Sequence, residues 1–191
     1  SAVDLGAGSG VIATLMAARS PEIKLIGLEL QEDQVDRARR SVRLNGLEER
    51  ISIRQGDVRQ VTEYIEPQSV ELVVSNPPFR KKGEGRVSRN SEQAAARHEL
   101  YGDLSDFVKG AGRILINGGR LAMIQRPERL GELMQLFRDA GIAPSRLRWV
   151  HSFIHSRAGL FLLEGIKKKN TSLAVLPPLI IYEKPGVYSA E

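Results

Sequence analysis

Over its first 75 residues the chain alternates between two periodicities, and this narrows its fold more than any other feature. Short apolar runs at 1–5, 24–30, 51–55 and 70–75 are separated by amphipathic stretches at 10–19, 31–45 and 58–65. Runs of that length read as buried strands and the stretches between them as helices. Strands that alternate with helices build a parallel sheet with helices on both faces, an α/β architecture. Asn45-Gly46 is a good helix stop. The second half continues with a helix over 103–115 that ends at Asn117-Gly118-Gly119, a strand over 120–125, and a helix over 127–140 that ends at Gly141. Two strands follow, 147–153 and 159–166, with no helical pattern between them. Consecutive strands predict an antiparallel edge on an otherwise parallel sheet. Only 76–100 and the tail after Lys167 are irregular, and a connection as long as the first is more often functional than not.

Composition removes several classes of function. The 191 residues, 41% apolar and 27% charged, suit one globular domain over 1–191 and are too evenly mixed for disorder. No run approaches the roughly 18 apolar residues of a membrane span, and the most apolar late stretch, 173–182, carries Pro177 and Pro178 at its centre. The absence of cysteine removes disulfides, thiol nucleophiles and cysteine-bound zinc. The opening Ser-Ala-Val-Asp-Leu-Gly has neither the basic nor the apolar region of a secretory signal, so the expected compartment is the cytoplasm. The charge of +5 suits a polyanionic partner without requiring one. Nothing in the sequence fixes an oligomeric state.

The chemistry is concentrated at the ends of the first four strands. Strand one runs into Asp4-Leu5-Gly6-Ala7-Gly8-Ser9-Gly10 and then a helix, either a tight structural turn or one in which backbone approaches a ligand too closely for a Cβ. The spacing is G-x-G-x-G, and Val11 stands where a dinucleotide fingerprint has its third glycine, which argues against NAD. Glu29 closes the second strand, 19 residues past Gly10, where a carboxylate can accept from both hydroxyls of a ribose or simply cap a helix. Asp57 follows the third strand, placed to accept from an adenine amino group or to cap the next helix. Strand four ends in Ser75-Asn76-Pro77-Pro78-Phe79. Two prolines remove two amide donors and stiffen the backbone, leaving the Asn76 amide and the Pro77 carbonyl to meet a guest. An exocyclic amine wants such acceptors, and Phe79 adds a flat face for a planar group to stack on; taken alone, the motif reads equally as a double-proline turn with a core phenylalanine.

DLGAGSG, Glu29, Gly56-Asp57 and NPPF, in that order, resemble the motifs of class I S-adenosylmethionine-dependent methyltransferases, in the branch that methylates planar amino groups. Further stretches, Ile26-Gly27-Leu28-Glu29-Leu30-Gln31, Asn45-Gly46-Leu47-Glu48-Glu49-Arg50-Ile51 and Pro177-Pro178-Leu179-Ile180-Ile181-Tyr182, are similar to the bacterial tRNA1(Val) (adenine-37-N(6))-methyltransferase subfamily. The resemblance covers nearly the whole chain. It implies a Rossmann-like, seven-stranded, mostly parallel sheet with an antiparallel last strand, a bound S-adenosylmethionine that leaves as S-adenosylhomocysteine, and a tRNA substrate. The cofactor-binding residues it implies are Asp4, Gly6, Ala7, Gly8, Gly10, Glu29, Leu30, Asp57, Val58 and Asn76. Gly6, Gly8 and Gly10 line the methionine side, Glu29 the ribose, and Asp57 with Val58 the adenine. The catalytic turn it implies is Asn76, Pro77, Pro78 and Phe79. Related enzymes carry a further helix and loop before the glycine strand; here the chain opens at that strand with Ser1, and the domain is read as lacking that segment.

Hydrogen bonds from the target N–H groups to Asn76 and the Pro77 carbonyl favour a pyramidal nitrogen, and they strengthen as positive charge develops there. His98 and Glu99 are candidates for the late proton, or the polar start of a helix. His151 and His155, without a third ligand, do not make a metal site, so no metal is expected. Between Phe79 and His98 lie Arg80, Lys81, Lys82, Arg86, Arg89 and Arg97 against Glu84 and Glu92, a basic surplus suited to RNA phosphates. Lys167-Lys168-Lys169 serves equally as a solubilising edge or an RNA contact. Rival readings are a ribosomal RNA guanine-N(2) methyltransferase, a release-factor glutamine methyltransferase, and an RNA-binding module without catalysis.

Overall fold

A computed structural model describes residues 1–79 and 102–190. The first four apolar runs form parallel strands: β1 Ala2–Leu5, β2 Leu25–Glu29, β3 Ile51–Gln55 and β4 Val70–Ser75. All four residues of β1 are buried, as expected of a strand covered on both faces. Helices α1 Val11–Arg19 and α2 Glu32–Leu44 make the first two crossovers. Helix α2 stops where Asn45-Gly46 predicts: Gly46 turns left-handed at φ 63°, and the Leu47 and Gly46 amides donate to the Val42 and Arg43 carbonyls at 3.1 Å each. The expected α-helix at 58–65 is instead a 3-10 helix, Val58–Glu63. Its two buried residues are Val58 and Val61, three apart, and three residues per turn place both on the core.

The second half adds α3 Leu104–Ile114, β5 Leu115–Gln125, α4 Leu130–Asp139, β6 Ile142–His151 and β7 Ala158–Lys167. A reciprocal cap between Asp103 and Asp106 starts α3. The strand order is β3-β2-β1-β4-β5-β7-β6, with β7 antiparallel to both neighbours; the antiparallel strand expected from two consecutive strands is present, but it lies inside the sheet between β5 and β6 rather than at its edge. Strand β5 begins earlier than expected, pairing Leu115 with Val70 before the chain bulges through Gly118 at φ 82° and resumes the ladder at Arg120. Helices α1 and α2 cover one face of β1 to β3 through a small cluster containing Ala13, Ala17, Val35 and Ala38. On the opposite face the 3-10 helix, α3 and α4 enclose a larger core centred on Phe107, Phe137, Leu121 and Phe161.

Among the described residues the sheet has nine strands, two short ones beyond the seven expected. The tail adds β8 Ala174–Val175 and β9 Leu179–Ile180, both parallel to the outer edge of β6, and then a hairpin of β10 Tyr182–Lys184 and β11 Val187–Tyr188. Pro177 and Pro178, which cannot donate to a ladder, separate the two short pairings. Because β1 to β6 run parallel, their carboxyl ends share one edge of the sheet, and the sequence motifs gather there. Among the described residues no helix is long and apolar enough to cross a membrane.

Candidate active site

The turn after β1 uses left-handed backbone at all three glycines, with φ of 72°, 53° and 80° at Gly6, Gly8 and Gly10. Their reasons differ. A Cβ on Gly6 would lie 2.9 Å from the Phe107 ring, and one on Gly10 would lie 3.2 Å from the Ala38 Cβ, so these two are also demanded by packing against α3 and α2. A Cβ on Gly8 would meet nothing within 4 Å, and Gly8 lines a cavity. Close ligand approach and a tight structural turn, the two alternatives for this loop, therefore both apply: packing requires Gly6 and Gly10, Gly6 and Gly8 line the cavity, and at Gly8 nothing but open space faces the missing Cβ. The turn is anchored by the Gly6 and Ala7 amides, which donate to the Leu28 carbonyl at 2.9 and 3.1 Å.

Glu29, at the end of β2, is 7% exposed and joins two turns: one carboxylate oxygen accepts from the Gly8 amide at 2.8 Å, the other from the Gln31 amide at 2.9 Å. It lines the same cavity as Gly6 and Gly8, and a carboxylate has about four acceptor positions, so it retains capacity for a guest. Below this turn sits Asp4, wholly buried, with no well-formed hydrogen bond to either carboxylate oxygen and only a weak interaction with the Ala13 amide. Burial first, and then the charge of Glu29, push its pKa up to about 7, with the Ala13 amide opposing them.

After β3, Gly56 and Val58 wall the cavity on either side of Asp57. Asp57 takes its capping alternative: it accepts from the Arg59 amide at 2.9 Å and pairs with the Arg59 guanidinium, which holds its carboxyl below the usual carboxylate range. Gly56 is tight for a local reason, since a Cβ there would lie 2.6 Å from the Tyr64 ring.

Strand β4 delivers the last motif. The Ser75 hydroxyl donates to the Leu5 carbonyl at 2.7 Å, tying the end of β4 to the start of the glycine turn. Asn76 and Pro78 then line the cavity of about 240 Å³ that Gly8 and Glu29 share. Asn76 also borders a second cavity of about 510 Å³, walled by Val74, Ile124 and Leu162 on the sheet face that carries α1. Pro77 is buried, and Phe79 is half-buried with the Arg126 guanidinium 5.8 Å from its ring centre. The fold therefore brings Gly6, Gly8, Glu29, Leu30, Val58 and Asn76 to one cavity. Arg80, Lys81, Lys82, Arg86, Arg89, Arg97, His98 and Glu99 lie outside the described residues.

Four residues around the site escape sequence reasoning. Gln31 and Gln34 line the cavity from the start of α2, where they read as solvated helix. Phe107 lines it from α3, where its apolar spacing reads as core, which it also is. Arg126, directly after β5, meets Phe79 only through the pairing of β5 with β4. No local pattern signals any of them.

Residues 1–140 match the family described as Methyltransferase small domain. The tRNA1(Val) (adenine(37)-N6)-methyltransferase of Porphyromonas gingivalis strain W83 is 31% identical over 194 aligned positions, which span 99% of this chain and 75% of that protein. The release factor glutamine methyltransferase of Aliivibrio fischeri is 30% identical over 151 positions, 74% of this chain and 51% of that protein. Among solved structures, a predicted O-methyltransferase of Agrobacterium tumefaciens, protein Atu636, superposes with a TM-score of 0.80 at 23% identity, covering 99% of this chain and 84% of that one. That likeness extends the fold agreement through the antiparallel strand and the tail. With the family match across both the glycine turn and the Asn-Pro-Pro-Phe turn, the chain belongs to the Methyltransferase small domain family of S-adenosylmethionine-dependent methyltransferases.

Proposed function

We propose that this chain, acting as one domain over 1–191, methylates the exocyclic N6 amine of an adenine in tRNA. One observation carries the reading: Asn76, the acceptor-bearing residue after β4, walls the same cavity as Gly8 and Glu29. The residues suit S-adenosylmethionine. A glycine without a neighbour at its Cβ position leaves room for a ligand against backbone, and the Glu29 carboxylate faces the same space. Gly6, Gly8 and Gly10 would hold the methionine side, Glu29 the ribose, and Leu30 and Val58 the adenine. Asp57, committed to Arg59, contributes by fixing the turn that presents Val58. When bound, the cofactor supplies an electrophilic methyl group.

The amine needs help because its lone pair is delocalised into the ring. Asn76 and the Pro77 carbonyl accept its two N–H bonds, which favours a pyramidal nitrogen and aims the lone pair. As charge develops on nitrogen, those acceptors bind it more strongly than they bind the ground state. Phe79 holds the base by one ring face, with Arg126 over the ring on the other. The basic residues Arg80, Lys81, Lys82, Arg86, Arg89 and Arg97 supply phosphate contacts.

The choice of tRNA over a protein substrate rests on extent. The Porphyromonas relative aligns over 99% of this chain, the release-factor relative over 74%. A tRNA substrate also sets the reaction in the cytoplasm. The test is incubation with total tRNA and methyl-labelled S-adenosylmethionine, followed by digestion and nucleoside analysis. Label in N6-methyladenosine is the expected result. Label in N2-methylguanosine with ribosomal RNA, or in glutamine with release factor, overturns it.

A further inference from the structure

The tail hairpin contributes nothing to either core cluster, yet it is built rigidly and carries an aromatic ladder. The Tyr182 ring packs on Phe153 with centres 5.7 Å apart and on Tyr188 with centres 5.0 Å apart, the planes tilted by 37° and 30°. Phe153 stands in the turn after β6, so the ladder grows from the carboxyl end of that strand. Backbone bonds hold it there: the Ile181 and Tyr182 amides donate to the His151 and Ser152 carbonyls at 2.9 Å each, and the Ser189 amide donates to Ile181 at 3.0 Å. The outermost ring, Tyr188, is 72% exposed. An aromatic ring held in a fixed orientation with its outer side in water adds little to folding. That arrangement is what a stacking platform requires.

Its place in the sheet supplies the second argument. Strand β6 is parallel to β4, so the ladder stands on the same edge of the sheet as Asn76, three strand spacings across along β4-β5-β7-β6 and further along the strand direction, since Ser75 is level with Leu147 and Phe153 lies six residues beyond Leu147. At about 4.8 Å per spacing and about 3.3 Å per residue, Phe153 is on the order of 20 Å from Asn76. That is about six nucleotides at the roughly 3.4 Å rise of a stacked strand. Exposed cations stand on the same segments as the rings: Arg157 closes the turn that carries Phe153, and Lys184 lies in the hairpin that carries Tyr188, and among the described residues neither makes an ion pair. A solvent-facing ring on segments that also carry exposed cations, on the edge where a base is presented, matches the way proteins bind single-stranded nucleic acid.

We infer that Tyr188, backed by Tyr182 and Phe153, is a stacking site for an unpaired base of the substrate RNA, several nucleotides from the base that is methylated. The inference rests on the tRNA reading above. One base stacked on an aromatic ring contributes enough that its loss weakens binding by roughly five- to a hundredfold. The experiment uses the whole chain with total tRNA as probe, comparing wild type, Tyr188→Ala and Tyr188→Phe for tRNA affinity and for single-turnover methylation at saturating cofactor. The expected result is a five- to hundredfold loss of tRNA affinity in Tyr188→Ala, near-wild-type affinity in Tyr188→Phe, an unchanged rate at saturating tRNA, and unchanged S-adenosylhomocysteine affinity. That last readout shows that the site is intact. If wild type methylates tRNA and Tyr188→Ala binds it equally well, the stacking site is wrong while the tRNA reading stands. An equal loss in Tyr188→Phe assigns the effect to the hydroxyl and also overturns stacking. If wild type neither binds nor methylates tRNA, the tRNA reading fails and takes this inference with it.

Discussion

Replacing Asp4 with asparagine tests the electrostatics beneath the glycine turn. Asp4 is fully buried, its oxygens make no well-formed hydrogen bond, and its pKa rises from 3.8 to about 7. A carboxyl with a raised folded pKa binds its proton more tightly in the native state than in the unfolded chain. Its contribution is therefore present in full below about pH 4, drains as the pH climbs toward 7, and is constant above that. A rise of about three units, at about 1.36 kcal/mol per unit, makes the whole loss about 4 kcal/mol. About 2–3 kcal/mol of it falls between about pH 5 and pH 8. Asparagine has nearly the same shape and does not titrate, so Asp4→Asn lacks this slope. The assay is denaturation of both proteins, free of cofactor, at several pH values across that window. Any effect of asparagine on packing is a constant offset. The readout is the pH dependence of the difference: wild type should lose about 2–3 kcal/mol relative to Asp4→Asn, or roughly 5–10 °C in Tm. A difference that stays flat from pH 5 to 8 would show that Asp4 titrates normally and refute the reasoning. Glu29→Gln, which removes the neighbouring charge, should move the slope to lower pH.

Three further outcomes are expected. Glu29→Ala removes a carboxylate that lines the cavity, so calorimetry should show S-adenosylhomocysteine binding ten- to a hundredfold more weakly, at about 1.5–3 kcal/mol for a charged hydrogen bond; unchanged affinity in the folded variant counts against the ribose role. Asn76→Ala should slow single-turnover methylation by about two to three orders of magnitude, with cofactor affinity within a few fold, whereas Phe79→Ala should chiefly raise the tRNA concentration needed; wild-type turnover in Asn76→Ala removes the amine-gripping role. Neutralising Lys81 and Lys82 together should flatten the log–log dependence of tRNA affinity on salt by somewhat under two units, and an unaltered slope would make that segment merely solvated.

The first four strands are legible in the sequence because buried parallel strands read as apolar runs and each ends in polar residues with a recognisable spacing. The antiparallel β7 is legible for the opposite reason, as a strand with no crossover helix before it. What the sequence hides is whatever depends on distant residues or on very short pairings. Phe107 determines why Gly6 is glycine, yet it comes from a helix 101 positions later, and Arg126 meets Phe79 only across the β4–β5 ladder. Strands β8 and β9, two residues each, have no period to read, although they cover the edge of β6 and fix the hairpin that bears Tyr188. Asp4 lies between these cases. Its motif is plain, but in a strand whose residues are all buried a carboxylate conflicts with its surroundings, and no spacing rule says how the conflict is resolved. The fold offers it only the weak Ala13 amide, and places Glu29, the acid that borders the cavity, near enough to raise its pKa further. Local rules tend to fail at functional sites, where stability is given up for chemistry. An isolated acid directly beneath the turn that is read as holding the cofactor is such a failure. Its cost at neutral pH, about 4 kcal/mol on the reasoning above, is large enough to measure against a typical domain stability of about 5–15 kcal/mol.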